Sequence, residues 1–177
     1  GLDRVIGGGF FRGDVILVAG GTGSGKTILS SAFIYNGATL YKENGVYATF
    51  EEDAKTLKRN MVRVGFDLEK LEREGAVKVV DLLSLKSEGL SSNIEYIVES
   101  LNEINGKRLV IDSLTAFLSA CEERFEYRTL MHLIYRMLKT RGYTTIMTCS
   151  VPTGATTLGL GIEEVIADSV INLESLS

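Results

Sequence analysis

The sequence is poor in the residues that form disulfide networks and zinc sites. Its 177 residues include two cysteines, Cys121 and Cys149, and one histidine, His132, and the cysteines do not form a CxxC pair. This composition excludes a disulfide framework and a cysteine-based zinc site. It predicts instead that both thiols are free and buried.

An excess of basic residues and long apolar runs are also absent. The net charge is −4, so no broad phosphate-binding face is available to hold nucleic acid or an anionic membrane. No apolar run approaches the ~20 residues that span a bilayer, and no signal-peptide pattern is present. We therefore expect a cytoplasmic protein with no membrane partner.

The length predicts one domain over residues 1–177. Because the chain begins at Gly1 rather than Met and stops at Ser177 directly after a strand-like run, we expect it to be a piece of a longer protein. Pro152 is its one proline and lies in a Gly- and Thr-rich stretch, Val151 to Gly161, which predicts a loop.

Apolar, β-favouring runs alternate with helical patterns along the chain. The predicted strands are Val15–Ala19, Val46–Phe50, Val77–Val80, Leu109–Ile111, Thr144–Thr148 and Val170–Leu173. One predicted helix has Ile94, Ile97, Val98, Leu101 and Ile104 on one face and ends before Gly106, and another runs from Arg124 to Lys139 before Gly142. This alternation predicts an α/β fold, a mainly parallel sheet flanked by helices on both faces.

The most specific motif is a glycine-rich loop between a strand and a helix. Gly20–Thr27 reads GGTGSGKT and fits G-x-x-x-x-G-K-[ST] directly after the strand Val15–Ala19. Such a loop cradles phosphates with its backbone N–H groups, and the helix dipole adds positive charge beneath them. The predicted nucleotide-binding residues are Gly21, Thr22, Gly23, Ser24, Gly25, Lys26, Thr27 and Ile28. We expect Lys26 to reach the β and γ phosphates and Thr27 to ligate Mg²⁺.

Carboxylates follow two other predicted strands. Asp112 ends the apolar run Arg108–Ile111, which predicts a second magnesium residue beside a P-loop, although an Asp at this position also commonly caps a helix. Glu51 and Glu52 follow the strand Val46–Phe50, at the same sheet edge as the P-loop. They are candidates to orient the attacking water, and the alternative interpretation is an acidic start to the next helix.

These elements, in this order, resemble the KaiC-like branch of the RecA-type P-loop ATPases. The likeness runs almost end to end and rests on the P-loop together with Gly1-Leu2-Asp3, Gly7-Gly8-Gly9, Ala48-Thr49-Phe50-Glu51-Glu52, Gly65-Phe66-Asp67-Leu68, Val110-Ile111-Asp112-Ser113, Met147-Thr148, Gly161-Ile162-Glu163-Glu164 and Asp168-Ser169. The resemblance implies a RecA-like P-loop NTPase fold, ATP with Mg²⁺ as ligand, and a homo-oligomeric, hexameric ring with nucleotide between subunits. It also implies catalytic roles for Lys26, Glu51 and Glu52, with Glu51 the first choice for polarising water, and places Asp112 in the magnesium shell.

The sequence departs from that family pattern at two places. Relatives continue past the last strand into a hairpin with a basic Lys-x-Arg-Gly finger, and the matching string Lys139–Gly142 lies before the Thr144 strand instead, so we reject it as the finger. Without a cation from a neighbouring subunit, we expect slow or absent hydrolysis in this form. Relatives also often place Gln or Glu, which sense the γ-phosphate, where this chain has the shorter and neutral Ser150. This difference argues against a recombinase-like γ-phosphate switch.

Two alternatives to a ring ATPase remain open at this point. One is a DNA-binding RecA- or RadA-like recombinase paralogue, which is disfavoured because residues 114–123 contain no Lys or Arg and residues 151–161 contain no charge. The other is a non-hydrolysing, nucleotide-dependent interaction module that orders its subunits and an unidentified protein client. Tight ATP binding without turnover would distinguish this second alternative.

Overall fold

The computed structural model describes residues 2–83, 90–119, 124–151 and 166–174. The strands are β1 (Val15–Gly20), β2 (Gly45–Thr49), β3 (Val77–Asp81), β4 (Arg108–Asp112), β5 (Thr144–Ser150) and β6 (Ser169–Leu173). The helices are α1 (Leu2–Val5), α2 (Lys26–Asn36) with a π-helical extension over Gly37–Tyr41, α3 (Ala54–Arg63), α4 (Leu68–Arg73), α5 (Leu90–Glu103), α6 (Leu114–Leu118) and α7 (Arg124–Arg141).

The strands form one parallel sheet. In the described part of the chain, six strands pair in the order β3-β2-β4-β5-β1-β6, and every pairing is parallel. Parallel strands need crossover connections, and helices lie between each pair of successive strands from β1 to β5. All carboxyl ends therefore meet at one edge, where ligands bind in such folds. The predicted α/β fold is confirmed.

Alternating strand residues build a separate core on each face of the sheet. On one face, Val15 and Leu17 of β1 pack with residues of α5, α6 and α7. On the other, Ile16 and Val18 pack with residues of α2, α3 and α4. Since both faces are covered, the strands are near-continuously apolar, as the sequence pattern indicates.

The two predicted long helices are present as α5 and α7, and α7 extends two residues beyond the predicted end, to Arg141. Leu133 and His132 of α7 lie on its solvent side, so the histidine is a surface residue. The predicted loop over residues 151–161 falls, after Val151, outside the described residues, as does Cys121. Cys149 is buried, as predicted. No helix in the described ranges is long and apolar enough to cross a membrane.

An ion pair joins α7 to the amino edge of the sheet. Lys139 Nζ lies 2.5 Å from Asp168 Oδ2 and donates to the Gly13 carbonyl oxygen at 3.0 Å. Asp168 also accepts from the Val15 N–H at 2.7 Å. Lys139 therefore lies at the end of the sheet opposite the P-loop, which agrees with its rejection as a phosphate-contacting finger.

Candidate functional site

The P-loop connects the last residue of β1 to the first turn of α2. Gly23 and Gly25 have φ of +79° and +95°, a left-handed conformation that favours glycine. No described atom lies within 4 Å of where a Cβ would stand on Gly21, Gly23 or Gly25. The loop therefore presents open backbone above the N-terminus of α2, which is the arrangement that binds phosphate.

Lys26 and Ser24 supply polar side chains within this loop. Lys26 is 9% exposed, and its Nζ donates to the carbonyl oxygens of Gly20 and Gly21 at 2.9 Å each. Among the described residues it has no acidic partner, so its charge is not neutralised by an ion pair. The buried Ser24 Oγ has no hydrogen-bond partner in the described part of the chain. Both groups suit an anionic ligand.

The ends of β4 and α2 bring two oxygen-bearing side chains together. Thr27 Oγ1 donates to Asp112 Oδ2 at 2.9 Å, and Asp112 is 5% exposed. Hydroxyl and carboxylate oxygens are ligands that Mg²⁺ accepts while it keeps several waters or phosphate oxygens. The described residues contain no group of three or more His, Cys, Asp or Glu side chains that could hold a metal alone. The donor set therefore fits a magnesium ion shared with a nucleotide.

Asp112 does not cap the helix that follows it. Ser113 is the N-cap of α6 and accepts from the Ala116 N–H at 3.1 Å. The carboxylate of Asp112 is thus directed to the side chains around it, and the capping role that the sequence left open belongs to its neighbour.

The glutamate pair lies in the turn between β2 and α3. Asp53 caps α3 by accepting from the Thr56 N–H at 2.9 Å, so neither Glu51 nor Glu52 has that role. Glu51 is exposed and accepts from the hydroxyl of Ser113, directly beside Asp112.

Glu52 differs from Glu51 in its surroundings. It is half-buried, and Asn60 Nδ2 lies 3.3 Å from its Oε2. Its turn is closed by Thr49, whose hydroxyl donates to the Glu52 carbonyl oxygen at 2.7 Å. Burial, and then the negative charge of Asp112, raise the pKa of Glu52. The two adjacent carboxylates therefore lie in different surroundings.

Two hydroxyl groups at Asp112 were not assigned to the site from sequence. Tyr47 OH donates to Asp112 Oδ2 at 2.6 Å, and Thr148 Oγ1 donates to Oδ1 at 2.5 Å. Burial, followed by the charge of Asp112, raises the pKa of the Tyr47 phenol well above its usual value. In the sequence analysis Tyr47 is only one residue of the predicted strand Val46–Phe50, and Thr148 is only part of the family resemblance. Strand alternation and parallel register, which place both beside Asp112, are the signal that could have found them.

The remaining predicted residues lie at the rim of the loop or outside the site. Thr22 is exposed, and Ile28 is 45% exposed on the first turn of α2. Residues 114–118 are the first part of the segment 114–123 that was considered for DNA contact, and Leu114, Phe117 and Leu118 are buried there in α6. That part of the segment packs against the sheet.

Comparison with known proteins agrees with this geometry. The family model described as "ATPase: KaiC" matches residues 1–176. The circadian clock oscillator protein KaiC of Thermostichus vulcanus is 31% identical over 99% of this chain, which spans 36% of that protein. A UPF0273 protein of Methanocaldococcus jannaschii is 28% identical over 98% of the chain and 77% of its own length. This chain therefore spans about a third of the clock protein it matches.

A solved structure gives the same result for the fold. The crystal structure of a KaiC-like protein from Pyrococcus horikoshii superimposes with a TM-score of 0.87 at 40% identity, covering 97% of this chain and 76% of that one. Its likeness confirms the RecA-like sheet, and family membership supports nucleotide binding. On the family match across residues 1–176, the chain belongs to the KaiC family of ATPase domains.

Proposed function

We propose that the chain binds ATP with Mg²⁺ at the P-loop and hydrolyses it, slowly in this form because no basic finger reaches the site in the described part of the chain. The observation that carries this proposal is the convergence of an unneutralised Lys26 and the Thr27–Asp112 pair at one sheet edge. Lys26 would exchange its two carbonyl acceptors for phosphate oxygens, and the buried Ser24 hydroxyl would gain the partner it lacks. Thr27 and Asp112 would hold the magnesium ion, whose chemistry is to bridge phosphate oxygens and neutralise developing charge.

Within this proposal, Glu51 polarises the attacking water. It is the exposed member of the pair, and the Ser113 hydroxyl holds its carboxylate next to Asp112. Glu52 is half-buried against Asn60 and is therefore less accessible to a water molecule. An exposed carboxylate beside Asp112 is open to an approaching water molecule, which is the first requirement for a general base.

The first test is nucleotide affinity of Lys26→Ala. Removing the ammonium leaves the P-loop without a positively charged side chain, so we expect binding of a fluorescent ATP analogue to be abolished in a titration. Lys139→Ala, which removes a cation at the opposite edge of the sheet, is the matched control and should bind normally. Unchanged affinity of Lys26→Ala would refute the assignment of the phosphate site.

The second test compares Glu51→Gln with Glu52→Gln. We expect Glu51→Gln to retain ATP binding and lose phosphate release, while Glu52→Gln retains both. The opposite pattern would assign the water to Glu52. Tight binding without turnover in the unmodified chain would favour the nucleotide-dependent interaction module over an ATPase.

We further propose that nucleotide binding is coupled to assembly of a homo-oligomeric ring, as the family resemblance implies. The test is mass in solution by light scattering, with and without Mg²⁺ and a non-hydrolysable ATP analogue. A nucleotide-stabilised hexamer supports the ring. A nucleotide-bound monomer would refute ring assembly by this chain while leaving the phosphate site intact.

A further inference from the structure

The carboxylate of Asp112 is surrounded by hydroxyl groups. Among the described residues, three hydroxyls donate to it: Thr27 and Tyr47 to Oδ2, at 2.9 and 2.6 Å, and Thr148 to Oδ1, at 2.5 Å. Asp112 forms no ion pair within the described part of the chain. These hydroxyls therefore provide the polar contacts that a buried carboxylate requires.

The hydroxyls restrict how the carboxylate can turn. A carboxylate offers about four acceptor positions, of which three are filled here. Because donors contact both oxygens, rotation of the group would break at least one charge-assisted hydrogen bond. About one acceptor position is left for a further contact, such as a magnesium-bound water.

Tyr47 is held rigidly in this arrangement. Its side chain is 0% exposed, and β2 is an interior strand paired with β3 and β4. Tyr47 pairs with Val110 in register, so its side chain lies on the same face of the sheet as that of Asp112, two residues further along β4. At full burial, water has no access to replace the phenol if it is removed.

We propose that Tyr47 is a positioning residue that, together with Thr148, orients Asp112 toward Thr27 and thereby sets the affinity of the chain for a divalent cation. This inference rests on the proposed function, because it concerns the cation that accompanies the nucleotide. Side chains that hydrogen-bond to a metal-binding carboxylate commonly change metal affinity by about 10–100-fold when they are removed. Tyr47 touches neither nucleotide nor cation in this scheme and acts through Asp112.

The test separates cation affinity from nucleotide affinity in Tyr47→Phe, which removes the hydroxyl and keeps the ring. Mn²⁺ is the probe, and its binding to the chain saturated with a non-hydrolysable ATP analogue is followed by electron paramagnetic resonance. We expect the Mn²⁺ dissociation constant to rise about tenfold. Nucleotide affinity in EDTA should stay within about twofold of the unmodified chain, since the P-loop is untouched.

Matched variants guard against a general loss of packing. Tyr143→Phe removes the hydroxyl of another buried tyrosine, directly before β5 at the opposite edge of the sheet, and should change neither affinity. Thr148→Val removes the donor to Oδ1 and should weaken Mn²⁺ binding, whereas Thr148→Ser keeps a hydroxyl and should restore it. The threonine pair also tests the inference if Tyr47→Phe does not fold.

Each contrary result has a distinct meaning. Unchanged Mn²⁺ affinity in both Tyr47→Phe and Thr148→Val overturns the inference, and so does an equal loss of nucleotide affinity with and without the cation, which marks a structural role. If the unmodified chain binds no nucleotide, the proposed function fails and the inference with it. Normal binding by the unmodified chain, with no effect of either variant, refutes the inference alone.

Discussion

Replacing Gly20 with alanine should destabilise the chain through a close approach between two strands. A Cβ at Gly20, the last residue of β1, would lie 2.5 Å from Ser24 Oγ and 2.7 Å from the carbonyl oxygen of Leu173. The serine side chain can rotate away. The Leu173 oxygen belongs to β6, where Leu173 pairs with Gly20 in register, so it moves only if the strand moves.

The expected size of the effect follows from that contact. Forcing an additional methyl group into a packed site costs about 1–3 kcal/mol. In a chain of this length each kcal/mol corresponds to about 2–4 °C of melting temperature, so we expect Gly20→Ala to melt about 2–12 °C lower. The measurement is thermal unfolding of the nucleotide-free chain, followed by circular dichroism.

Gly21→Ala is the matched control for this prediction. No described atom lies within 4 Å of a Cβ at Gly21, and its φ is outside the left-handed range. We therefore expect a change within about 0.5 kcal/mol, or roughly 2 °C. Equal melting temperatures for the two variants would refute the argument that the strand contact requires glycine at position 20.

Three further substitutions test the fold and its caps. Lys139→Met removes the ion pair to Asp168, whose pKa is raised by burial but lowered more by the Lys139 hydrogen bond, the Val15 N–H and the Lys139 charge. Because the folded pKa of Asp168 lies below the unfolded value of about 3.9, the ion pair contributes about 1 kcal/mol to the free energy of unfolding above that pH, and this contribution is lost as pH falls through the folded pKa. In urea unfolding, the difference in free energy of unfolding between variant and parent should therefore be smaller at pH 3 than at pH 7. An equal difference at both pH values would contradict this. Asp67→Ala removes the cap that accepts from the Lys70 N–H at 2.9 Å and should cost about 1 kcal/mol in urea unfolding, with no change arguing that the cap is dispensable. Phe117→Ala removes a buried ring 4.9 Å from that of Phe50 and should cost about 3–5 kcal/mol, so a loss below 1 kcal/mol would show that α6 is not part of the cooperative core.

The fold class could be read from the sequence because its signals are local. Each strand is a short apolar run, and the helices between them have apolar faces and a terminating glycine, as at Gly142 after α7. Alternation of these two patterns leaves a parallel sheet as the simplest arrangement that buries both faces. The ends of the elements could not be read as well from the sequence. The helix α7 continues to Arg141, two residues beyond its predicted end, because periodicity does not specify the backbone contacts that end a helix.

The P-loop was equally readable, because its chemistry depends on residues that are adjacent in the chain. The spacing from Gly20 to Thr27 itself specifies the backbone turn, the lysine and the hydroxyl. The roles of Lys26, Asp112 and Glu51 in binding and hydrolysis stay predictions that the experiments above address.

The surroundings of Asp112 and the difference between the two glutamates were decided only by tertiary structure. Tyr47, Thr148 and Asp112 are separated by 65 and 36 positions in the chain, and strand register brings them together. Glu51 and Glu52 are adjacent and chemically identical, but one contacts Ser113 in the open and the other lies half-buried beside Asn60. The sequence by itself determined the sheet, the P-loop and the edge at which carboxylates gather. The packing of β2, β4 and β5 side by side decided which hydroxyls contact Asp112 and which glutamate is exposed. Long-range register and burial are properties of the folded chain and are not written in any local stretch of sequence.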